Sequence, residues 1–355
     1  MAALHTMLGG SLVGFLFLLI SGMNSGKAYG LAQRESRSIA RINKRGPYLG
    51  IVIPNTFEMN PLLQSPSFAP DPKLPQLDIL GKRFRIGRIG DKNVILVMTG
   101  LSMLNAGVTT QLLLTLFRVE GVVHYGIAGN ANPDLQIGDV TIPRYWAHGG
   151  LWNWQRFGDG PDDELPLESS GDYRREFGYL NISDYNIAGS RGKGKSKESN
   201  YLNNVWYQPE EIFPVNGVPE ERQHAFWVPV DRNYLAVSKK LQSLKLGSCV
   251  NGTTCLPRPA AVVAVERGIS ANIFVDNRAY REFLRSKFNV TPIDMETAAI
   301  ALICLQQRTP FIALRSLSDL AGGGSASSNE ASVFGSLAAQ NAVDAVIRFV
   351  ALLGS

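Results

Sequence analysis

The chain has 355 residues, 45% of them hydrophobic and 18% charged, enough to bury one large core or two modest ones and too apolar for a disordered charged-tail protein. The formal net charge of +5 would suit a polyanion partner, but Lys and Arg are scattered along the chain. Their one cluster, Arg191, Lys193, Lys195 and Lys197, sits in a Gly/Ser-rich stretch without interleaved aromatics, reads as a solvated loop, and argues against nucleic-acid binding.

From Met7 to Ile20 the chain is almost wholly apolar, Ser21 to Lys27 is small and polar, and Ala28-Tyr29-Gly30 has the small-x-small pattern of a signal-peptidase site. The apolar run is shorter than the roughly 20 residues of a spanning helix. Residues 1–30 are therefore expected to be a secretory signal, with an uncleaved N-terminal anchor as the alternative, and residues 31–46 a polar lead-in. Tyr48 to Ile53 is a short apolar run stopping at Pro54-Asn55, as a buried strand stops at a turn. Val94 to Met98 and Val122 to Tyr125 repeat the pattern, and Asn105 to Val119 between them carries Leu112, Leu113, Leu116 and Val119 at helical spacing. Such a βαβ unit predicts an α/β fold: one domain over 47–355, a three-layer α/β/α sandwich around a mostly parallel mixed central sheet.

The stretch at about 146–227, from Trp146 to Trp227, is rich in Gly, Pro, Asn and charge and is expected to be an insertion packed at the sheet edge or over the pocket. Beyond it, Ala261 to Val265 reads as a strand, Met295 to Gln306 as a helix, Phe311 to Ser316 as a strand and Glu330 to Leu353 as a closing helix, with no membrane span after the signal. Cys249 and Cys255 flank a turn-forming Val-Asn-Gly-Thr-Thr, which predicts a disulfide and fits secretion; Cys304 reads as a buried, inert thiol. Asn181-Ile-Ser, Asn251-Gly-Thr and Asn289-Val-Thr are glycosylation sequons for a chain on that route.

In an open parallel sheet, ligands bind beyond the carboxyl ends of the strands. Four segments occupy such places: Thr99-Gly100-Leu101-Ser102, Gly126-Ile127-Ala128-Gly129, Ser270 to Asp276, and Ser318-Asp319. Glycine at the first two either makes a plain turn or lets backbone amides approach a phosphate or a ribose oxygen. By local chemistry alone Asp319 is a turn or N-cap aspartate, Glu296 a first-turn helix glutamate, and Met295 and Phe274 core side chains.

In order, these segments resemble the nucleoside phosphorylase/nucleosidase superfamily. His124-Tyr125-Gly126-Ile127-Ala128-Gly129, continuing through Leu135-Gln136-Ile137-Gly138-Asp139-Val140, is similar to its strand-turn segment ending in Gly-Asp-Val. Ile293-Asp294-Met295-Glu296-Thr297-Ala298-Ala299 resembles its Met-Glu-x-x-Ala helix, and Arg315-Ser316-Leu317-Ser318-Asp319 its Arg-x-x-Ser-Asp strand end. Gly50 to Asn60 most resembles the plant bark and vegetative storage branch, which implies an extracellular or vacuolar destination on the secretory pathway.

The resemblance implies cleavage of the N-glycosidic bond of a purine-type nucleoside, cytokinin-type ribosides included, by phosphorolysis or hydrolysis. The alternative it implies is a storage glycoprotein that keeps a purine nucleoside-binding fold with weak or no turnover. Asp319 matches the acid that protonates the leaving base, and Glu58 the water-activating glutamate. Glu296 matches the carboxylate that binds the ribose hydroxyls, with Met295 under the ribose, Phe274 stacked on the base and Ser318 beside Asp319. Thr99, Gly100, Gly126 and His124 match the phosphate or nucleophile region. Bacterial phosphorylases have arginine and serine where this chain has His124 and Ile127, which weakens a phosphate site. No metal or organic cofactor is expected; inorganic phosphate is a co-substrate only in phosphorolysis, and the expected partners are the small-molecule nucleoside and further copies of the chain in a homo-oligomer.

Overall fold

The computed structural model describes residues 33–154, 179–181, 204–215, 218–323 and 330–354. The expected signal at 1–30 and the basic run at 191–197 lie outside these residues. The chain divides into two units, Met1–Arg45 and Gly46–Ser355. In the first, Gln33–Asn43 forms a helix, α1, with Ile39 and Ile42 three apart on one face.

The second unit opens with β1 (Tyr48–Ile53), α2 (Thr56–Gln64), β2 (Phe68–Pro70), β3 (Gln76–Ile79), β4 (Lys82–Ile89), β5 (Lys92–Met98), α3 (Met103–Leu116), β6 (Val119–Asn130) and β7 (Val140–His148). The insertion adds β8 (Trp152–Trp154), β9 (Tyr179–Asn181), β10 (Asn204–Tyr207), β11 (Glu210–Ile212) and β12 (Gln223–Ala225). Then come β13 (Val228–Pro229), α4 (Arg232–Ser238), β14 (Val262–Ser270), α5 (Arg278–Phe288), β15 (Val290–Asp294), α6 (Thr297–Gln306), β16 (Phe311–Leu320) and α7 (Glu330–Leu353).

Every residue of β1 is buried, as befits a central strand covered on both faces. It runs parallel to β5 on one side and β6 on the other, so α3 is the crossover of the expected βαβ unit. Strands β2, β3 and β4 add an antiparallel flank beyond β5. On the other side, β6 is parallel to β16, β16 antiparallel to β7, β7 parallel to β14, and β14 parallel to β15. β15 then returns antiparallel to β6 through Pro292 and Ile293. The circuit of pairs is closed, so this end of the mixed sheet curls on itself, a feature that hydrophobic periodicity does not encode.

Helix α7 packs on β16 and β6 and buries Ala338, Ala342, Val346 and Phe349. Its residues 331–353 are apolar enough to cross a membrane by length and composition; here that apolar surface forms the main core. A second core joins Tyr207, Phe226, Leu284 and Phe288, with Trp152, Trp227, Tyr280 and Phe283 packed on it. It ties the described part of the insertion to α5. Trp146, taken as the insertion's first residue, belongs to β7 and is fully buried. Cys249 and Cys255 form a disulfide and Cys304 is a buried free thiol.

Candidate active site

At the curled end of the sheet, α2, the turn after β5, the segment after β14, the β15–α6 junction and the end of β16 converge on a cavity of about 210 Å³. Glu58 is placed there by its cap: Asn55 Oδ1 accepts the Glu58 backbone N–H at 3.2 Å and starts α2, leaving Glu58 in the first turn with 1% exposure. Its Oε1 accepts the Ile127 N–H at 2.7 Å and lies 3.7 Å from Arg315 Nη1. Its Oε2 has no partner among the described residues. Burial, opposed by Arg315 and the Ile127 amide, pushes the Glu58 carboxyl up to about 8.

Arg315, fully buried on β16, holds the cluster together. Its Nε lies 2.7 Å from Asp294 Oδ2 and donates to Thr297 Oγ1 at 3.1 Å; Nη1 donates to the Ile127 carbonyl at 3.2 Å. Its Nη2 reaches Glu296 Oε2 at 3.3 Å and also His124 Nε2. His124 Nδ1 is 2.8 Å from the Val52 carbonyl, so Nδ1–H donates there and Nε2 accepts from the guanidinium: the network assigns a neutral tautomer. Burial, and then Arg315, hold His124 well below its usual 6.5.

Gly126 is not a turn residue, because β6 continues through Asn130. A Cβ there would come within 2.2 Å of Glu58 Oε1 and 2.3 Å of Arg315 Nη1. The glycine leaves room for that ion pair inside a strand.

Asp294 ends β15 and organises the start of α6. Its Oδ1 accepts from the Ser270 hydroxyl at 2.5 Å and from the amides of Glu296 and Thr297 at 3.2 and 3.1 Å. Glu296 follows, 3% exposed, and its Oε1 accepts the Ser102 N–H at 3.1 Å. Burial raises its carboxyl against the pull of Arg315. That amide is aimed by a strained turn, with Gly100 at φ +85° and Ser102, a non-glycine, at φ +97°. Met103 N–H meets Asn272 Oδ1 at 2.8 Å beside it.

Six of the residues singled out in the sequence line this one cavity: Glu58, Phe274, Met295, Glu296, Ser318 and Asp319. Ser318 Oγ donates to Asp319 Oδ1 at 2.6 Å. Phe274 is 71% exposed at the mouth, which excludes the plain core reading. The four residues of the expected phosphate region stand elsewhere. Thr99 is buried and donates its hydroxyl to the Gly100 carbonyl at 2.6 Å; the cavity contact from that turn is Leu101. Gly100 supplies the turn, Gly126 the space for the ion pair, and His124 faces Arg315 rather than the cavity. Among the described lining residues none is Lys, Arg or His.

Arg315, Asp294 and Ser102 belong to the site without having been singled out as site residues. The available signal was the arginine itself, a charge inside the apolar run Phe311 to Ser316, which a buried strand tolerates only with partners.

The family model described as the phosphorylase superfamily matches residues 48–189 and 222–351. Bark storage protein A of Populus deltoides is 29% identical over 304 residues, covering 85% of this chain and 88% of its own. A 5'-methylthioadenosine/S-adenosylhomocysteine nucleosidase from Marinomonas sp. is 28% identical over 246 residues, 69% of this chain and 75% of its own. Among solved structures, the Helicobacter pylori 5'-methylthioadenosine/S-adenosylhomocysteine nucleosidase with butyl-thio-DADMe-Immucillin-A shares the fold at TM-score 0.56 and 18% identity, over 86% of this chain and 99% of that one.

Proposed function

The chain belongs to the phosphorylase superfamily, and from that premise we propose that it hydrolyses the N-glycosidic bond of a purine-type nucleoside, with water as the acceptor. The observation that carries this reading is the charge of the site. Three carboxylates, Glu58, Asp294 and Glu296, surround one guanidinium and one neutral histidine. The donors of Arg315 are committed to these neighbours, and no cationic side chain lines the cavity among the described residues. A phosphate dianion would find no cationic donor there, and once Glu58 ionises, above about 8, it would meet net negative charge, whereas a ribosyl fragment with cationic character would be stabilised.

In the proposed reaction Glu58 Oε2 accepts a proton from water, whose oxygen bonds the anomeric carbon. The C–N bond breaks, its electron pair leaves with the base, and Asp319 delivers a proton to the base. Glu296 accepts hydrogen bonds from the ribose hydroxyls, Met295 lies beneath the sugar, and Phe274 covers the base from the mouth. Arg315 orients Glu58 and Glu296 together. Incubation with adenosine, inosine and a cytokinin-type riboside, with and without phosphate, tests this. Free ribose formed without phosphate is expected; ribose 1-phosphate formed only with phosphate would overturn hydrolysis.

The 29% identity to bark storage protein A across most of the chain favours a second reading, a storage glycoprotein with a silent nucleoside site. Absence of product from every nucleoside would select it. The Cys249–Cys255 disulfide supports routing to the secretory pathway, with an extracellular or vacuolar end point. Exposure of Leu101 and Phe274, which line the cavity, and of Leu104 in the first turn of α3, at 59%, 71% and 73%, supports a homo-oligomer.

A further inference from the structure

Between the two stretches that match the family model, 48–189 and 222–351, lies Tyr207, at the end of β10 and fully exposed to neither solvent nor cavity: its relative exposure is 0%. Several of its aromatic contacts fall on α5. Its ring stacks on Phe283 at 6.3 Å and meets Phe288 edge-on at 4.8 Å, and its hydroxyl lies 3.0 Å from that of Tyr280. Helix α5 in turn grips the turn that follows Asp319. Arg281 Nη1 donates to the carbonyls of Ala321 and Gly323 at 3.4 and 3.2 Å. Gly322, at φ +98°, sits so close that a Cβ would fall 2.5 Å from the Arg278 amide nitrogen. Val275, Ile293 and Ala321 line the cavity and belong to the same core as Tyr207.

We propose that Tyr207 is a positioning residue for Asp319, acting through α5, so that a segment outside the stretches matched by the family model sets the placement of the acid that serves the leaving base. This rests on the reading of Asp319 as that acid. Packed cores move as discrete units rather than deforming smoothly, so loss of the Tyr207 ring would let α5 and the Ala321–Gly323 turn shift together. The effect should fall on proton delivery and spare the Glu58 half of the reaction.

The test compares adenosine with p-nitrophenyl riboside, whose leaving group departs without a proton. In Tyr207→Leu, kcat/KM for adenosine should fall about tenfold or more, while that for p-nitrophenyl riboside stays within about twofold. Equal losses on both substrates, or no loss on either, would overturn the proposal. Tyr207→Phe, which keeps the ring and removes the hydroxyl with its Tyr280 and Trp152 contacts, should show a smaller loss of the same selectivity and covers the case in which the leucine variant fails to fold. Amide hydrogen exchange gives a readout independent of turnover. The Ala321 and Gly323 amides, bonded to the carbonyls of Asn130 and Leu320, should exchange faster in the variants while β1 and β5 stay unchanged. Unchanged exchange at Ala321 and Gly323 sinks the proposal even if the wild type turns over neither substrate, an outcome that would itself refute the hydrolytic reading.

Discussion

Replacing Glu58 by Gln should make the protein both more stable and inactive. Burial raises the Glu58 carboxyl from its ordinary 4.5 to about 8, and each pH unit between those values costs about 1.4 kcal/mol. Below pH 4.5 the group is protonated in folded and unfolded chains alike, and the wild type loses nothing. Between 4.5 and about 8 the unfolded chain gives up the proton while the folded chain keeps it, so stability falls as pH rises; above about 8 both are ionised and the loss levels off. The wild type should therefore lose on the order of 3 kcal/mol by pH 7 and 5 kcal/mol by pH 9, relative to pH 4. Glutamine reproduces the protonated carboxyl, its Oε1 still accepting the Ile127 N–H, but does not titrate. Urea unfolding of both proteins at pH 5, 7 and 9 should show a stability difference that grows with pH in favour of Glu58→Gln. Wild-type kcat/KM should rise with pH towards a plateau above about 8 as the base ionises, with the variant roughly 10²- to 10⁴-fold lower throughout. A difference in stability that does not change between pH 5 and 9, together with a flat wild-type profile from pH 6 to 9, would refute the assignment.

Asp319→Asn keeps the size of the side chain but removes the transferable proton, so adenosine turnover should fall far more than nucleoside affinity, as paired kinetics and calorimetry would show. Glu296→Gln should weaken both, each by about ten- to a hundredfold, since a charged hydrogen-bond partner contributes about 1.5–3 kcal/mol. Gly126→Ala should destabilise the fold by about 1–3 kcal/mol in urea unfolding and abolish turnover, because its Cβ would meet the Glu58–Arg315 pair at 2.2–2.3 Å.

Continuous apolar runs carried the fold. Tyr48–Ile53 and Glu330–Leu353 stand where the pattern placed them, as β1 and α7, because uninterrupted burial leaves an unambiguous trace. The reading stopped short at Tyr125, because Gly126 and Gly129 look like a turn. In the structure Gly126 pairs with Arg315 and Ala128 with Leu317 along β16, and tertiary demand for space at Gly126 overrides the weak strand preference of glycine. Glu58, Glu296 and Asp319 were singled out from motif resemblance, and so was Phe274, and all four line the cavity; Asp294, which holds Arg315, was not. The role of His124 was not legible, since sequence does not tell which neighbour meets a strand residue on a curled sheet. Arg315 escaped for the same reason: its partners come from α2, β6, β15 and the start of α6, stretches far apart in the chain.

This last point changes what His124 and Ile127 mean. Taken as residues standing where phosphorylases place arginine and serine, they read as a damaged phosphate site and argue for a silent storage protein. Their contacts give them other work. The imidazole offers a neutral acceptor to Arg315, where a second guanidinium would be repelled, and Ile127 uses its backbone amide, which no side-chain exchange removes, to hold Glu58. Its carbonyl accepts from Arg315 at 3.2 Å as well. Both positions thus serve the orientation of a buried carboxylate whose second oxygen has no partner among the described residues. An unpartnered buried carboxylate oxygen costs stability, and a fold kept only for storage would gain by replacing Glu58 with a neutral side chain. Its presence, at the pH-dependent cost worked out above, favours the hydrolytic reading over the silent one.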